Sequence, residues 1–384
     1  MSCDVLINIL DDHNEGSILA TAKYKPKEVI FIYLENCNIE DQVEKLSEYY
    51  LNKFPFTTFI PKKINHNDFS KVEDIIKSYS NKNTIINLTG GKKFICLIIE
   101  YFARKNGIKV IYLDIEQEKL ITFNDKNIEV MQDDFLNLDV DDVIESIGGA
   151  IVVDSTEECS KKAVEEFTNM IAKNISLWEK YKYRIYDNRI FIHDQSNPSM
   201  IKINMSCLNK QETDIYYKIL NMLSNYDQIK YWKEDNFIKI RFLNLYMKSF
   251  IFKSGSWLEV FTKRVVEEIE AVDDVKSGVL FLWNDDKRRV RNELDVVAVK
   301  DSVLICISCK DSAKYDEVAL NELNVYGNQL GGESVIKILV ATKPPIKSSV
   351  LDRAREMNIW IVLFNGDRKE FKDKLKKIIT RKYM

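Results

Sequence analysis

Histidine is scarce in this chain of 384 residues: His13, His66 and His193 are all it has. That scarcity argues against His-based catalysis. It also argues against the Arg-x4-His ribonuclease pattern, because Arg189 and His193 stand one residue too close to fit it. The seven cysteines, an odd number, are scattered without a disulfide pattern, which fits a reducing compartment and a cytoplasmic protein. Cys306 and Cys309 spell C-x-x-C, but they lie inside one strand-like run with no second pair, so zinc and redox chemistry are set aside. No apolar run reaches the roughly 20 residues of a membrane-spanning helix. The stretch from Met1 to Leu10 is too short for a signal peptide and runs into acidic residues. Charge of one sign is lacking as well, for the net charge is −3 and announces no global nucleic-acid field.

What is present describes a globular chain. Hydrophobic residues make up 45% and charged residues 30%, enough for two or three domains with their own cores. In residues 1–148, apolar strands (Val5–Leu10, Val29–Leu34, Thr57–Ile60, Thr84–Leu88, Lys109–Leu113) alternate with helical patterns (Ile39–Asn52, Phe69–Tyr79, Gly91–Asn106). Alternation of this kind predicts a parallel sheet with helices on both faces, a Rossmann-like α/β domain. Its most informative stretch is Asn87-Leu88-Thr89-Gly90-Gly91-Lys92-Lys93, where a strand turns through two glycines into a helix. Helix N-terminal amides beside Thr89 and Lys92 make a ready anion site, and a plain tight turn is the competing account. Neither the Walker A spacing nor G-x-G-x-x-G is present.

Residues 149–250 read as a connecting segment. Ile151–Asp154 leads into a long helix over Cys159–Tyr181, a hairpin is predicted over Arg184–His193 around Asp187-Asn188, and a helix over Asn209–Asn225 follows with Asn209 as N-cap and Glu212 three positions on. Ile229–Phe242 reads as a second hairpin turning at Glu234–Asn236. A helix followed by a hairpin is winged-helix-like. A spacer and a nucleic-acid-binding element are the two readings, and the segment is not conspicuously basic.

The remaining residues, 251–384, hold the stretch that organises the chain, NELDVVAVKDSVLICISCK from Asn292 to Lys310. Two β-branched runs, Leu294–Val299 and Val303–Cys309, flank the polar turn Lys300-Asp301-Ser302 and predict an antiparallel hairpin. Asp295 opens the first strand, and Ser308 and Lys310 close the second. Charges at the ends of an apolar hairpin are costly unless they pair or bind something. One account is a buried Asp–Lys ion pair; the other is a divalent-metal site with a lysine beside it. Upstream, Gly255–Glu259 opens a helix whose Trp257, Phe261 and Val265 form an apolar face, with Glu259 off that face. Downstream come a helix from Glu322 to Gly331-Gly332, a strand over Val335–Ala341, a helix to Glu356 and a last strand over Ile359–Phe364. Basic runs at Lys287–Arg291 and Lys372–Lys382 would suit phosphate contacts.

Asp295 with Ser308-Cys309-Lys310 resembles the PD-(D/E)xK nuclease superfamily, in which an acidic residue starts one strand and a (D/E)-x-K tripeptide ends the next. The resemblance implies that Asp295, Glu259 and the Cys309 carbonyl hold Mg²⁺ or Mn²⁺. It also implies that Lys310 orients the attacking water and offsets phosphate charge, with Ser308 as a fourth member of the catalytic set. Ser308 departs from the pattern, standing where the family usually has a carboxylate. Asn-Leu-Thr-Gly-Gly-x-Lys is similar to the signature of CARF domains, the ligand-sensing modules of type III CRISPR accessory proteins. That resemblance implies a pocket for a cyclic oligoadenylate, cyclic tetra-adenylate being the expected ring size. The pocket would be built from Leu10, Asp11, Asp12, His13 and Asn14 on one side and Asn87, Thr89, Gly90, Gly91, Lys92 and Lys93 on the other. In this order the two resemblances identify the chain with the CRISPR-associated CARF-domain nucleases. The family implies a homodimer acting on single-stranded DNA, RNA or both in antiviral defence, without a membrane. A ligand-responsive transcription regulator with an inactive nuclease fold, and a ring nuclease degrading the cyclic oligoadenylate itself, are the alternatives.

Overall fold

The computed structural model describes residues 2–35, 39–65, 68–124, 127–253, 255–282 and 291–381. His66, Trp283, Lys382 and the basic run Lys287–Val290 fall outside them.

Strands of unbroken apolar sequence build the first sheet, because a strand covered on both faces has no polar side to alternate with. Chain order is β1 (Val5–Ile9), α1 (Glu15–Tyr24), β2 (Glu28–Leu34), α2 (Ile39–Lys53), β3 (Thr58–Ile64), α3 (Phe69–Tyr79), β4 (Thr84–Asn87), α4 (Lys93–Lys105) and β5 (Lys109–Asp114). A hairpin, β6 (Lys119–Phe123) with β7 (Ile128–Gln132), and the short α5 (Val140–Ser146) complete it. The sheet order is β3-β2-β1-β4-β5-β6-β7, with β1 to β5 parallel and the last two strands antiparallel. The strand order reverses between β1 and β4, so a crevice opens at their carboxyl ends, the usual ligand position in open α/β sheets. The strands and helices expected here are present. Helix α1, hidden from the periodicity, is buried almost all round, from Gly16 to Thr21 and again at Tyr24.

The middle of the chain departs from the sequence reading in two places. The single helix expected over Cys159–Tyr181 is three: α6 (Thr156–Cys159), α7 (Lys162–Lys173) and α8 (Ile175–Tyr181), followed by a 3₁₀ turn at Lys182–Tyr186. The break falls at Asn174, whose side chain donates to the Met170 carbonyl at 2.8 Å, a local hydrogen bond that competes with continuing the helix. The hairpin expected over Arg184–His193 does not form either. Asp187 is taken up by Arg184 and Arg189, and β9 (Phe191–His193) pairs instead with β10 (Met200–Asn204). The helix over Asn209–Asn225 and the second hairpin form as expected. Helix α9 (Lys210–Asn225) begins with a capping box, Asn209 and Glu212 each bonding the other's amide at 2.9 Å. β11 (Ile229–Glu234) and β12 (Phe237–Phe242) form the second hairpin inside a four-stranded antiparallel sheet ordered β11-β12-β10-β9.

After α10 (Leu245–Phe252) come α11 (Ser256–Glu267), β13 (Asp274–Leu282), β14 (Arg291–Lys300), β15 (Val303–Lys310), α12 (Glu317–Gly331), β16 (Ile336–Ala341), α13 (Ser349–Glu356), β17 (Ile359–Leu363) and α14 (Arg368–Ile379). They form a mixed sheet, β17-β16-β15-β14-β13, whose far edge is a strand from earlier in the chain, Ala150–Val153, here β8. The third sheet therefore starts before the middle segment and resumes after it. Its two faces belong to different cores. One packs on α11 and α14 through Trp257, Phe261, Phe364 and Phe371. The other is continuous with the first sheet: Leu294, Val297, Leu320 and Leu339 share one cluster with Leu6, Val29, Leu46 and Val143. The first and third sheets thus meet across a common apolar core.

Candidate active site and ligand pocket

Strands β14 and β15 pair from Lys300↔Val303 to Val296↔Ile307, and their turn places Asp301 and Ser302 at φ of 50° and 62°, both in the left-handed region. Beyond Val296 the main-chain ladder stops and a side chain takes over. Asp295 Oδ2 accepts the Cys309 amide at 2.6 Å and the Ser308 hydroxyl at 3.1 Å. The carboxylate that opens one strand is thereby fixed to the tripeptide that closes the next. Cys309 points into the core against α11, and Cys306 lies on the opposite face in the other core, so the C-x-x-C pair cannot share a metal.

Glu259 comes to this point from the first turn of α11, as a half-buried residue. Among the described residues no hydrogen bond or ion pair engages its carboxylate. Burial, and then the neighbouring Asp295, push its pKa up to about 7. Lys310 adds its positive charge to the same environment. It forms no ion pair among the described residues, so the buried Asp–Lys pair that would have explained these charges structurally is not there. Two residues unremarked in the sequence also belong to this site. Lys253, just after α10, lies 3.3 Å from Glu293. Burial pulls the Lys253 pKa down, but Glu259, Glu293 and Asp295 outweigh it and hold the ammonium above its ordinary value. Glu293 was findable, since it stands two residues before Asp295 on one strand and so shares its face. Lys253 carries no such signal.

Among the described residues, no three His, Cys, Asp or Glu side chains come together as a metal site. Ser308 brings no carboxylate, and the donors that the resemblance implies are the Asp295 and Glu259 carboxylates and the Cys309 carbonyl. Two carboxylates with water completing the shell is an ordinary donor set for Mg²⁺ or Mn²⁺. Asp295 lies near enough to Glu259 to raise its pKa, and a divalent cation relieves such repulsion between two carboxylates. The residues fit the ion.

At the carboxyl ends of β1 and β4, Leu10, Asp11, Asp12 and Lys92 line a cavity of about 70 Å³ with Tyr33 and Ile95. Gly91 has a φ of +99°, and a Cβ there would lie 2.6 Å from Ile9 Cγ2, so the turn needs a glycine. The loop amide is already occupied, however. Asp11 Oδ2 accepts the Gly91 N–H at 2.7 Å, placing a carboxylate where the sequence suggested an open anion site. Asn87 and Thr89 are likewise spent within the fold. Buried Asn87 accepts from the Thr89 amide (3.1 Å) and hydroxyl (2.6 Å) and donates to Asn8, while Thr89 Oγ1 accepts the Leu113 amide at 2.9 Å. Asn14 is buried and donates to the carbonyls of Asp11 and Ser146, and Gly90 sits over the Ile9 carbonyl. Lys92 and Lys93 remain exposed at the start of α4, with no ion pair among the described residues. His13 leaves the cavity altogether. Its imidazole packs on Gly332, just past the end of α12, where an added Cβ would come within 3.0 Å of the ring. Burial pulls its pKa down, yet Glu15, Asp12 and Asp11 more than compensate and raise it above the ordinary histidine value. His13 thus joins the pocket loop to the end of α12, a helix packed on β15.

No curated protein matches the sequence. Among the described residues no helix is long and apolar enough to cross a membrane. Solved structures resemble the whole fold. Can2 from Sulfobacillus thermosulfidooxidans in complex with cyclic tetra-adenylate matches with a TM-score of 0.71 at 19% identity, over 98% of this chain and 100% of that one. Protein VC1899 from Vibrio cholerae matches with a TM-score of 0.73 at 18% identity, over 97% of each chain. A type III CRISPR defence DNA nuclease activated by cyclic oligoadenylate matches with a TM-score of 0.54 at 13% identity, over 91% of this chain and 48% of that one. Residues 247–382, which contain Glu259, Asp295, Ser308 and Lys310, match the family model of the Card1-like endonuclease domain.

Proposed function

We propose that this chain is a nuclease of type III CRISPR defence, switched on by a cyclic oligoadenylate and dependent on a divalent metal. One observation carries the reading: Asp295, Glu259 and Lys310 come together with no ion pair among the described residues, inside a domain similar to Card1-like endonucleases. Asp295, Glu259 and the Cys309 carbonyl hold Mg²⁺ or Mn²⁺, in the manner of a PD-(D/E)xK site in which Ser308 replaces one carboxylate. Bound there, the ion supplies charge stabilisation at the scissile phosphate and lowers the pKa of water. Lys310 positions the attacking water and offsets charge on the phosphate oxygens. Ser308 steadies Asp295. The substrate is single-stranded DNA, RNA or both.

The activator site is the crevice at Asp11, Asp12 and Lys92. Can2, with a fold like this one, is a complex with cyclic tetra-adenylate, which makes that ring the first choice of activator. Because Asp11 already holds the Gly91 amide, phosphates meet the side chains of Lys92 and Lys93 rather than the loop. The two-fold ring fits a two-fold protein. Helix α4, which starts at those lysines, shows solvent a stripe of Phe94, Leu97 and Tyr101, each more than 60% exposed, while Ile95, Ile99 and Ala103 cover the sheet. A second copy packing on that stripe makes a homodimer with paired pockets, and the ring's preference for one arrangement of the pair is the switch. The test is cleavage of labelled single-stranded DNA and RNA with Mn²⁺ and each cyclic oligoadenylate in turn. Cleavage undiminished in EDTA, or identical with and without every ring, would overturn the proposal.

A further inference from the structure

Asp311 follows Lys310 directly, and its side chain is 1% exposed. Both of its oxygens are used twice. Oδ2 accepts the indole N–H of Trp178 at 2.7 Å and of Trp257 at 2.8 Å; Oδ1 accepts Lys182 Nζ at 3.0 Å and the Thr342 hydroxyl at 3.0 Å. A carboxylate has about four acceptor sites, and all four are filled. Lys182 also donates to the Asp311 main-chain carbonyl at 2.7 Å and is itself buried, held from behind by Glu179 at 2.7 Å. Glu179 in turn pairs with Lys343.

The donors come from three places. Trp257 lies two residues before Glu259 in α11. Thr342 follows β16, and its amide donates to the Lys310 carbonyl at 3.3 Å. Trp178 and Lys182 belong to the middle segment. The interruption of the expected long helix accounts for their convergence, since α8 restarts at Ile175 and tightens into the 3₁₀ turn at Lys182. A buried carboxylate without a cation is costly, and one beside a catalytic lysine would compete for that lysine's ammonium. Lys182 supplies the cation from elsewhere, and Lys310 stays free of ion pairs among the described residues.

Resting on the nuclease reading above, we propose that the middle segment is part of the active-site frame: Lys182 and Trp178 are positioning residues that, through Asp311, set Lys310 for the reaction. The segment is then more than a spacer. Its displacement would misplace Lys310 while leaving the Asp295 and Glu259 donors in position.

The experiment uses the full-length protein with cyclic tetra-adenylate, Mn²⁺ and labelled single-stranded DNA and RNA. Lys182→Met and Trp178→Phe are compared with the parent for kcat, KM, Mn²⁺ affinity, activator affinity and melting temperature. The expectation is a fall in kcat of about tenfold or more for Lys182→Met and about threefold for Trp178→Phe, with KM and both affinities within about twofold of the parent. A purely structural role would instead move the melting temperature and all affinities together. Should Lys182→Met not fold, the milder Trp178→Phe decides. A folded variant of either kind with parental kcat overturns the inference, as does a loss that tracks metal or activator affinity. A parent that cleaves nothing under any ring overturns the nuclease reading first, and this with it.

Discussion

Asp295 Oδ2 lies 2.6 Å from the Cys309 amide, so a side chain closes the hairpin at the point where the main-chain ladder has ended. The same carboxylate that would hold a metal also aligns the Ser308–Lys310 tripeptide. Asp295→Asn keeps an acceptor for that amide but removes the charge. It should fold normally and lose cleavage by about a hundredfold or more, as should Lys310→Ala, with activator affinity unchanged in both. Cleavage rates and activator titrations check this, and full activity in either variant removes these residues from the chemistry.

Ser308 contributes a single 3.1 Å hydrogen bond to Asp295. Ser308→Ala should therefore cost about tenfold or less, in line with the roughly 1 kcal/mol of such a bond. A loss as large as that of Asp295→Asn, measured in the same assay, would make the hydroxyl itself a required donor.

Glu259 gives the site a pH dependence of definite sign. Its folded-state pKa is about 7, above the ordinary 4.5, so folding favours the protonated form. That contribution to stability is complete below the unfolded value and is lost as pH rises through the folded one. Metal-free protein should thus lose stability from about pH 5 to 8 relative to Glu259→Gln. Metal needs the ionised form, so Mn²⁺ affinity should fall by up to about tenfold per pH unit below 7. Melting curves in EDTA and Mn²⁺ titrations across this range provide the check. Parallel curves for parent and Glu259→Gln would contradict it.

The His13–Gly332 contact predicts a coupling variant. Gly332 has a φ of +61°, and a Cβ there would crowd the imidazole, so Gly332→Ala should shift this contact without touching either site. Activator affinity should stay within about twofold while the fold-activation drops by about threefold or more. Unaltered activation would mean that the signal passes elsewhere, through the shared core or a second copy.

The hairpin was legible because β-branched runs and a three-residue polar turn specify it locally, and because Asp295, Ser308 and Lys310 interrupt an otherwise apolar pattern. Helix α11 was legible for the same reason, its Trp257, Phe261 and Val265 recurring at helical spacing. Asp11 reads as a pocket residue in the sequence, but its bond to Gly91 depends on β1 and β4 lying side by side, which a sequence separation of 80 conceals. The break at Asn174 is hidden because a polar side chain bonding its own backbone leaves the apolar spacing untouched, and the pairing of β9 with β10 because the sequence does not show Arg184 and Arg189 taking up Asp187. Asp311 carries no signal of its own in the sequence; only the convergence of Trp178, Lys182, Trp257 and Thr342 shows it to be buried.

On the function proposed above, ligand bound near Lys92 releases phosphodiester cleavage at Asp295 and Lys310. The most direct measurement is a titration of cyclic tetra-adenylate into parent protein with Mn²⁺ and labelled single-stranded DNA and RNA, run beside Lys92→Ala and Lys310→Ala. Cleavage should be absent without the ring and saturate with it, the curve should shift to higher concentration in Lys92→Ala, and Lys310→Ala should not cleave. Parental cleavage at full rate with no ring present, or a Lys92→Ala curve superimposed on the parent's with unchanged binding, would contradict this.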